Sequence, residues 1–79
     1  GIGRQMHEDP AVPNFGKEGT GVMLKTGYTI AVEPMINAGT FKIKFEPDGW
    51  TTRTADGSLS AHYENTIAIR DGEPEILTL

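Results

Sequence analysis

Tyr28-Thr29-Ile30-Ala31-Val32-Glu33 and its counterpart His62-Tyr63-Glu64-Asn65-Thr66-Ile67-Ala68-Ile69 decide how this chain is read. Both stretches are rich in β-branched residues and alternate with period two, the pattern of a half-buried strand. Successive strand side chains point to opposite faces. Tyr28, Ile30 and Val32 therefore share one face, and Thr29, Ala31 and Glu33 share the other. In the second stretch Tyr63, Asn65, Ile67 and Ile69 share a face, opposite His62, Glu64, Thr66 and Ala68. Each strand has a bulky face and a face of small residues carrying one glutamate. If the bulky faces meet one core, Glu33 and Glu64 point to the same other side, where alanine and threonine leave room. Two carboxylates facing one cavity repel each other unless they share a proton or a cation. Hard divalent cations take such oxygen ligands. From the residues alone, a lone strand glutamate is more often an ordinary solvated position than a metal ligand.

The β pattern runs from Val22 onward. Thr26-Gly27 marks a turn, and Pro34 ends the first run because it has no ladder N–H to donate. Phe41-Lys42-Ile43-Lys44-Phe45 alternates, with Phe41, Ile43 and Phe45 on one face and the lysines on the other. Asp48-Gly49, Asp56-Gly57 and Asp71-Gly72 follow. Such pairs favour type I′ hairpin turns, in which both central residues take positive φ. Residues 50–54, 61–70 and 75–78 are the remaining strand candidates. Residues 1–21 are rich in glycine, proline and polar groups and read as an irregular loop. No helix is predicted. A purely antiparallel sheet with one bare face implies covering helices from sequence outside this chain.

At 79 residues the chain is bounded to one small domain or part of one. Eleven acidic against seven basic residues give a formal charge of −4. That balance argues against a nucleic-acid partner, which calls for a basic patch. No cysteine is present, so disulfides and thiolate metal sites are excluded, and a cytoplasmic setting is expected. No apolar run approaches the roughly 18 residues of a membrane span, and no signal peptide is recognisable. The chain starts Gly-Ile-Gly rather than with Met, so it reads either as a processed protein or as a piece of a longer one.

Three further residues carry potential chemistry. His7 precedes Glu8 and Asp9 in a polar loop, where most histidines are surface residues. Trp50 follows an Asp-Gly turn, where packing at a hairpin edge is the ordinary role. His62 is most simply a strand histidine.

Taken in order, Gly1-Ile2-Gly3, His7-Glu8-Asp9-Pro10, Glu33-Pro34-Met35-Ile36-Asn37, Trp50 and Ser60-Ala61-His62-Tyr63-Glu64-Asn65-Thr66 resemble type I methionine aminopeptidases of the bacterial or organellar kind. The ending Glu75-Ile76-Leu77-Thr78 is similar too. Glu-Pro-Met-Ile-Asn is the most discriminating element. Related proline-specific peptidases usually carry glycine where Met35 stands.

The resemblance implies an α+β fold. Residues 1–79 would be a partial catalytic domain from the C-terminal half of the pseudo-symmetric pita-bread arrangement, mostly antiparallel strands. It implies removal of the initiator methionine by hydrolysis at two divalent ions (Mn, Fe, Co or Zn). Glu33 would be a metal ligand that also handles the proton of the attacking water, and Glu64 the carboxylate bridging both metals. His7 would be catalytic and touch the substrate, and Trp50 and Met6 would line the methionine pocket. Such a pocket is apolar, because a thioether needs packing more than hydrogen bonds.

The family also has a metal-binding histidine directly before Gly-Ile-Gly, and two aspartate ligands in its N-terminal half. Of five metal ligands this chain holds Glu33 and Glu64, so the chain alone is expected to be inactive. Met6 stands where phenylalanine is common, and Asn65 where histidine is common. The implied partners are nascent polypeptides beginning with Met, the N-terminal half of the same protein and the ribosome, with no DNA and no membrane. Two alternatives stay open: a proline-specific peptidase of the same fold, and a non-catalytic binding module.

Overall fold

A computed structural model describes residues 1–79. The chain forms seven short strands and no helix: β1 Thr29–Val32, β2 Met35–Asn37, β3 Ile43–Phe45, β4 Thr52–Thr54, β5 Ser60–His62, β6 Asn65–Ala68 and β7 Glu75–Ile76. All pairings are antiparallel. The chain divides into two compact units, Gly1–Glu33 with Glu64–Leu79, and Pro34–Tyr63.

The first unit is built on a three-stranded sheet in the order β1-β6-β7. Ile30 lies across from Ile67, and Thr29, Ala31 and Val32 from Ala68, Thr66 and Asn65. Hydrogen bonds from Ile69 N to Tyr28 O and from Gly27 N to Ile69 O, both 2.8 Å, extend the ladder beyond the strands. Ile2 N donates to Thr29 O at 3.0 Å and ties the opening loop to the outer edge of β1. On the far edge, Leu77 N donates to Thr66 O and Thr66 N to Thr78 Oγ1. Between β6 and β7, Asp71 accepts from Thr26 Oγ1 at 2.7 Å, and Glu75 forms an exposed ion pair with Arg70.

The core is small. Ile30 (5% exposed) and Ala68 (8%) are the buried apolar residues. Ile30 sits on the expected bulky face, but Val32 on the same face is 44% exposed, and Ala68 belongs to the small-residue face. The two buried residues thus fall on opposite faces of the β1–β6 ladder rather than along one face.

The second unit holds two ladders. β2 pairs with β5 and β3 with β4. β2 starts directly after Pro34, which ends β1's run but does not stop strand formation beyond it. The expected strand over 61–70 is interrupted at Tyr63-Glu64, and the β pattern anticipated from Val22 yields no strand before Thr29. Every residue of β3 is exposed, so the apolar row Phe41, Ile43 and Phe45 lacks cover within this chain.

The Asp-Gly pairs do not form type I′ turns. No residue other than glycine has positive φ, whereas Gly49, Gly57 and Gly72 do (72°, 75° and 91°). Around Asp48-Gly49 the loop is longer: Gly49 N donates to Glu46 O and Glu46 N to Thr51 O. Glycine in the left-handed region is what such longer hairpin loops require. Asp56-Gly57 does not close a hairpin at all, since the strands on either side of it pair with β3 and β2. Asp56 instead accepts from Thr40 N and Ser58 N, each at 3.0 Å, and joins two loops. Gly39 packs so tightly against it that a Cβ there would overlap the Asp56 carboxylate.

Candidate active site

Glu33 is the residue just past the end of β1, and Glu64 the residue just before β6. The last ladder pair is Val32 with Asn65, so the two glutamates occupy the next step of the same register. By strand alternation they follow Ala31 and Thr66, on the face opposite Ile30 and Ile67. Carboxylate oxygens of the two come within 4.8 Å of one another, with Glu33 half-buried and Glu64 exposed. The convergence anticipated from parity is therefore present, although both groups sit off the strand ends.

The surroundings hold the backbone of this pair in place. Asn14 Nδ2 donates to Glu33 O at 3.3 Å. Next to Glu64, the Asn65 side-chain oxygen accepts from Thr78 Oγ1 at 3.1 Å, so the end of the chain is tied to the start of β6. Two carboxylates at this spacing repel when both are ionised, and a shared proton or divalent cation relieves the repulsion. The two glutamates offer carboxylate oxygens, donors that fit hard or borderline divalent metals. Two such ligands supply part of a metal coordination sphere.

His7 lies in the opening loop of the same unit. It lines an open groove of about 840 Å³ with Gly3, Arg4, Gln5, Glu8, Asp9 and Ala11. Neither glutamate borders that groove. Met6, beside it, is 72% exposed. Trp50 belongs to the second unit, in the loop between β3 and β4, and is 71% exposed. Its backbone N–H donates to Asp48 Oδ1 at 2.8 Å, as does that of Thr51. These bonds, with the Thr51 hydroxyl as the largest contributor, hold the Asp48 carboxyl below the usual aspartate range. Asp48 therefore fixes the backbone that presents Trp50, a support that reading Asp48 only as a turn former did not reveal.

The sequence profile of metallopeptidase family M24 matches residues 1–71. The chain belongs to this family. Among M24-type relatives, the methionine aminopeptidase of Clostridium perfringens is 61% identical over all 79 residues, and that of Escherichia coli K12 is 52% identical. The chain spans about a third of the length of these curated relatives, 32% and 30% respectively. Crystal structures agree. Methionine aminopeptidase from Rickettsia prowazekii matches with a TM-score of 0.86 at 47% identity, covering 92% of this chain and 30% of that one. The Thermotoga maritima enzyme matches with a TM-score of 0.84 at 51% identity, covering 91% and 29%. The fold of this M24 chain is thus the corresponding part of the pita-bread fold, and the seven strands are its antiparallel share. Membership of a metallopeptidase family implies divalent metal ions.

Proposed function

We propose that this chain carries the C-terminal share of the active site of a methionine aminopeptidase, which removes the initiator methionine from nascent proteins in the cytoplasm. The observation that carries the reading is the Glu33–Glu64 carboxylate pair, set within 4.8 Å in a chain of a metallopeptidase family. The names of the relatives, at 61% and 52% identity across the whole chain, support the substrate class.

Glu33 and Glu64 would hold the divalent metal. When bound, two divalent ions supply Lewis acidity toward the scissile carbonyl. Glu33 takes the proton of the attacking water, as a positioned carboxylate does in general base catalysis. His7 donates a hydrogen bond to the oxygen on which charge develops. Met6 is a substrate-binding residue of the opening loop, and Trp50 is a lining residue of the apolar pocket for the methionine side chain. The remaining ligands come from the other two thirds of the protein, which also cover the bare row Phe41, Ile43 and Phe45. Residues 1–79 are on this reading a partial catalytic domain, and partners are nascent N-termini beginning with Met, and the ribosome that presents them.

The test is methionine release from a Met-Ala-Ser peptide with Mn or Co added, by this chain alone and mixed with the rest of the protein. Activity confined to the mixture, and abolished by Glu64→Ala, is the expected result. Activity of the 79-residue chain alone would show that two carboxylates suffice. A folded mixture without activity would favour a non-catalytic module.

A further inference from the structure

The loop that carries His7 is held by a single side chain, Glu8. The loop's base is closed by Gly1 N donating to Pro10 O at 2.7 Å, and pinned to β1 by Ile2 N donating to Thr29 O. Within it, Glu8 Oε2 accepts from Gln5 N at 2.8 Å and so bridges the residues on either side of Met6 and His7. The Glu8 carboxylate also lies over Gly3, where a Cβ would overlap it. Gly1 is packed just as closely against the Asp9 carbonyl. Glu8 is half-buried, while Arg4 through His7 are exposed. An exposed histidine on a glycine-rich segment has many accessible positions unless something inside the loop removes them. The strut from Glu8 to Gln5 N, clamped on Gly3, is that element.

We infer that Glu8 is a positioning residue for His7, fixing the loop so that the imidazole is presented in one place. This rests on the proposed role of His7. It assigns to Glu8 a task separate from metal binding, and it explains the glycine at position 3, which makes room for the carboxylate. A misplacement of about 1 Å can lower a rate roughly a hundredfold, so loss of the strut registers in turnover rather than in metal content.

The experiment uses the full-length, metal-loaded protein with Glu8→Ala, Glu8→Gln and Gly3→Ala, each with His7 intact and in a His7→Ala background. Amide exchange at Gln5 is read alongside methionine release. Glu8→Ala should speed Gln5 exchange and lower kcat by roughly tenfold to a hundredfold, with KM and bound metal little changed. Glu8→Gln keeps an acceptor oxygen and should restore both readings. Gly3→Ala displaces the carboxylate and should reproduce Glu8→Ala. In the His7→Ala background, Glu8→Ala should lower kcat no further. An equal loss in that background, or an unchanged Gln5 exchange rate, overturns the inference. A wild-type protein without methionine release overturns the proposed function and with it the positioning role, while Gln5 exchange still reads the strut itself.

Discussion

The Glu33 and Glu64 carboxylates meet within 4.8 Å at the first step beyond the Val32–Asn65 pair that ends the β1–β6 ladder. Their spacing is therefore set by sheet register, which a side-chain amide leaves intact. Glu33→Gln and Glu64→Gln in the full-length protein are expected to fold normally and to lose activity. For Glu33 the loss should be about 10²- to 10⁴-fold, the usual contribution of a positioned base. Glu64→Gln should in addition retain less metal after gel filtration, as measured by elemental analysis. Full metal occupancy and full activity in both variants would remove the pair from the site.

Ile30 and Ile67 face each other at the centre of the same ladder, and Ile30 is one of two buried apolar residues. Ile30→Ala should destabilise the fold by about 2 kcal/mol, the low end for such truncations because few neighbours enclose the site. Val32→Ala, on a side chain nearly half exposed, should have a much smaller effect. Thermal denaturation of the two variants side by side checks the order. A larger loss for Val32→Ala would mean that the core is centred elsewhere.

Much of this was legible in the sequence because period-two alternation is a local signal. It gave the Ile30 and Ile67 faces, and with them the common side of the two glutamates. The break at Tyr63-Glu64 was not legible, since Ala61–Arg70 alternates without a proline or glycine to mark an interruption. Pro34 hid β2, because a residue that ends one strand can equally well precede the next. The Asp-Gly pairs pointed to turns, but turn type depends on loop length and strand partners, which are set at a distance. The uncovered Phe41, Ile43 and Phe45 follow the expected alternation, yet alternation cannot say what will lie against a face. The Glu8 strut escaped because it depends on a close approach to Gly3 that sequence spacing does not reveal.

Asp56 titrates at about 2, below its ordinary 3.8, chiefly because Thr40 N–H donates to it, with the Ser58 hydroxyl and N–H adding to the effect. A carboxyl with a depressed folded-state pKa stabilises the fold above its unfolded pKa and loses that contribution as pH falls. The stabilising effect should be complete above about pH 4 and vanish progressively toward pH 2. Asp56→Asn should flatten this acid limb of the stability curve while leaving the neutral-pH fold in place. Gly39→Ala should weaken the same junction at every pH by crowding the carboxylate. Acid titrations of wild type and Asp56→Asn followed by circular dichroism make the comparison, and coincident acid limbs would assign the transition to other groups.

Trp50 is the only tryptophan in the chain and is 71% exposed, so its fluorescence reports directly on the proposed methionine pocket. In the 79-residue chain its emission should be that of a solvated indole, readily quenched by acrylamide. If Trp50 lines a pocket completed by the rest of the protein, mixing the two parts should shift emission to the blue and slow quenching. A methionine-like inhibitor should slow it further. Asp48→Ala removes the acceptor for Trp50 N and Thr51 N, and should broaden the emission of the mixture by letting the indole take several positions. The decisive comparison is with activity. A mixture that releases methionine while Trp50 stays as exposed and as quenchable as before would place the pocket wall elsewhere, because an indole against a bound thioether cannot remain in water.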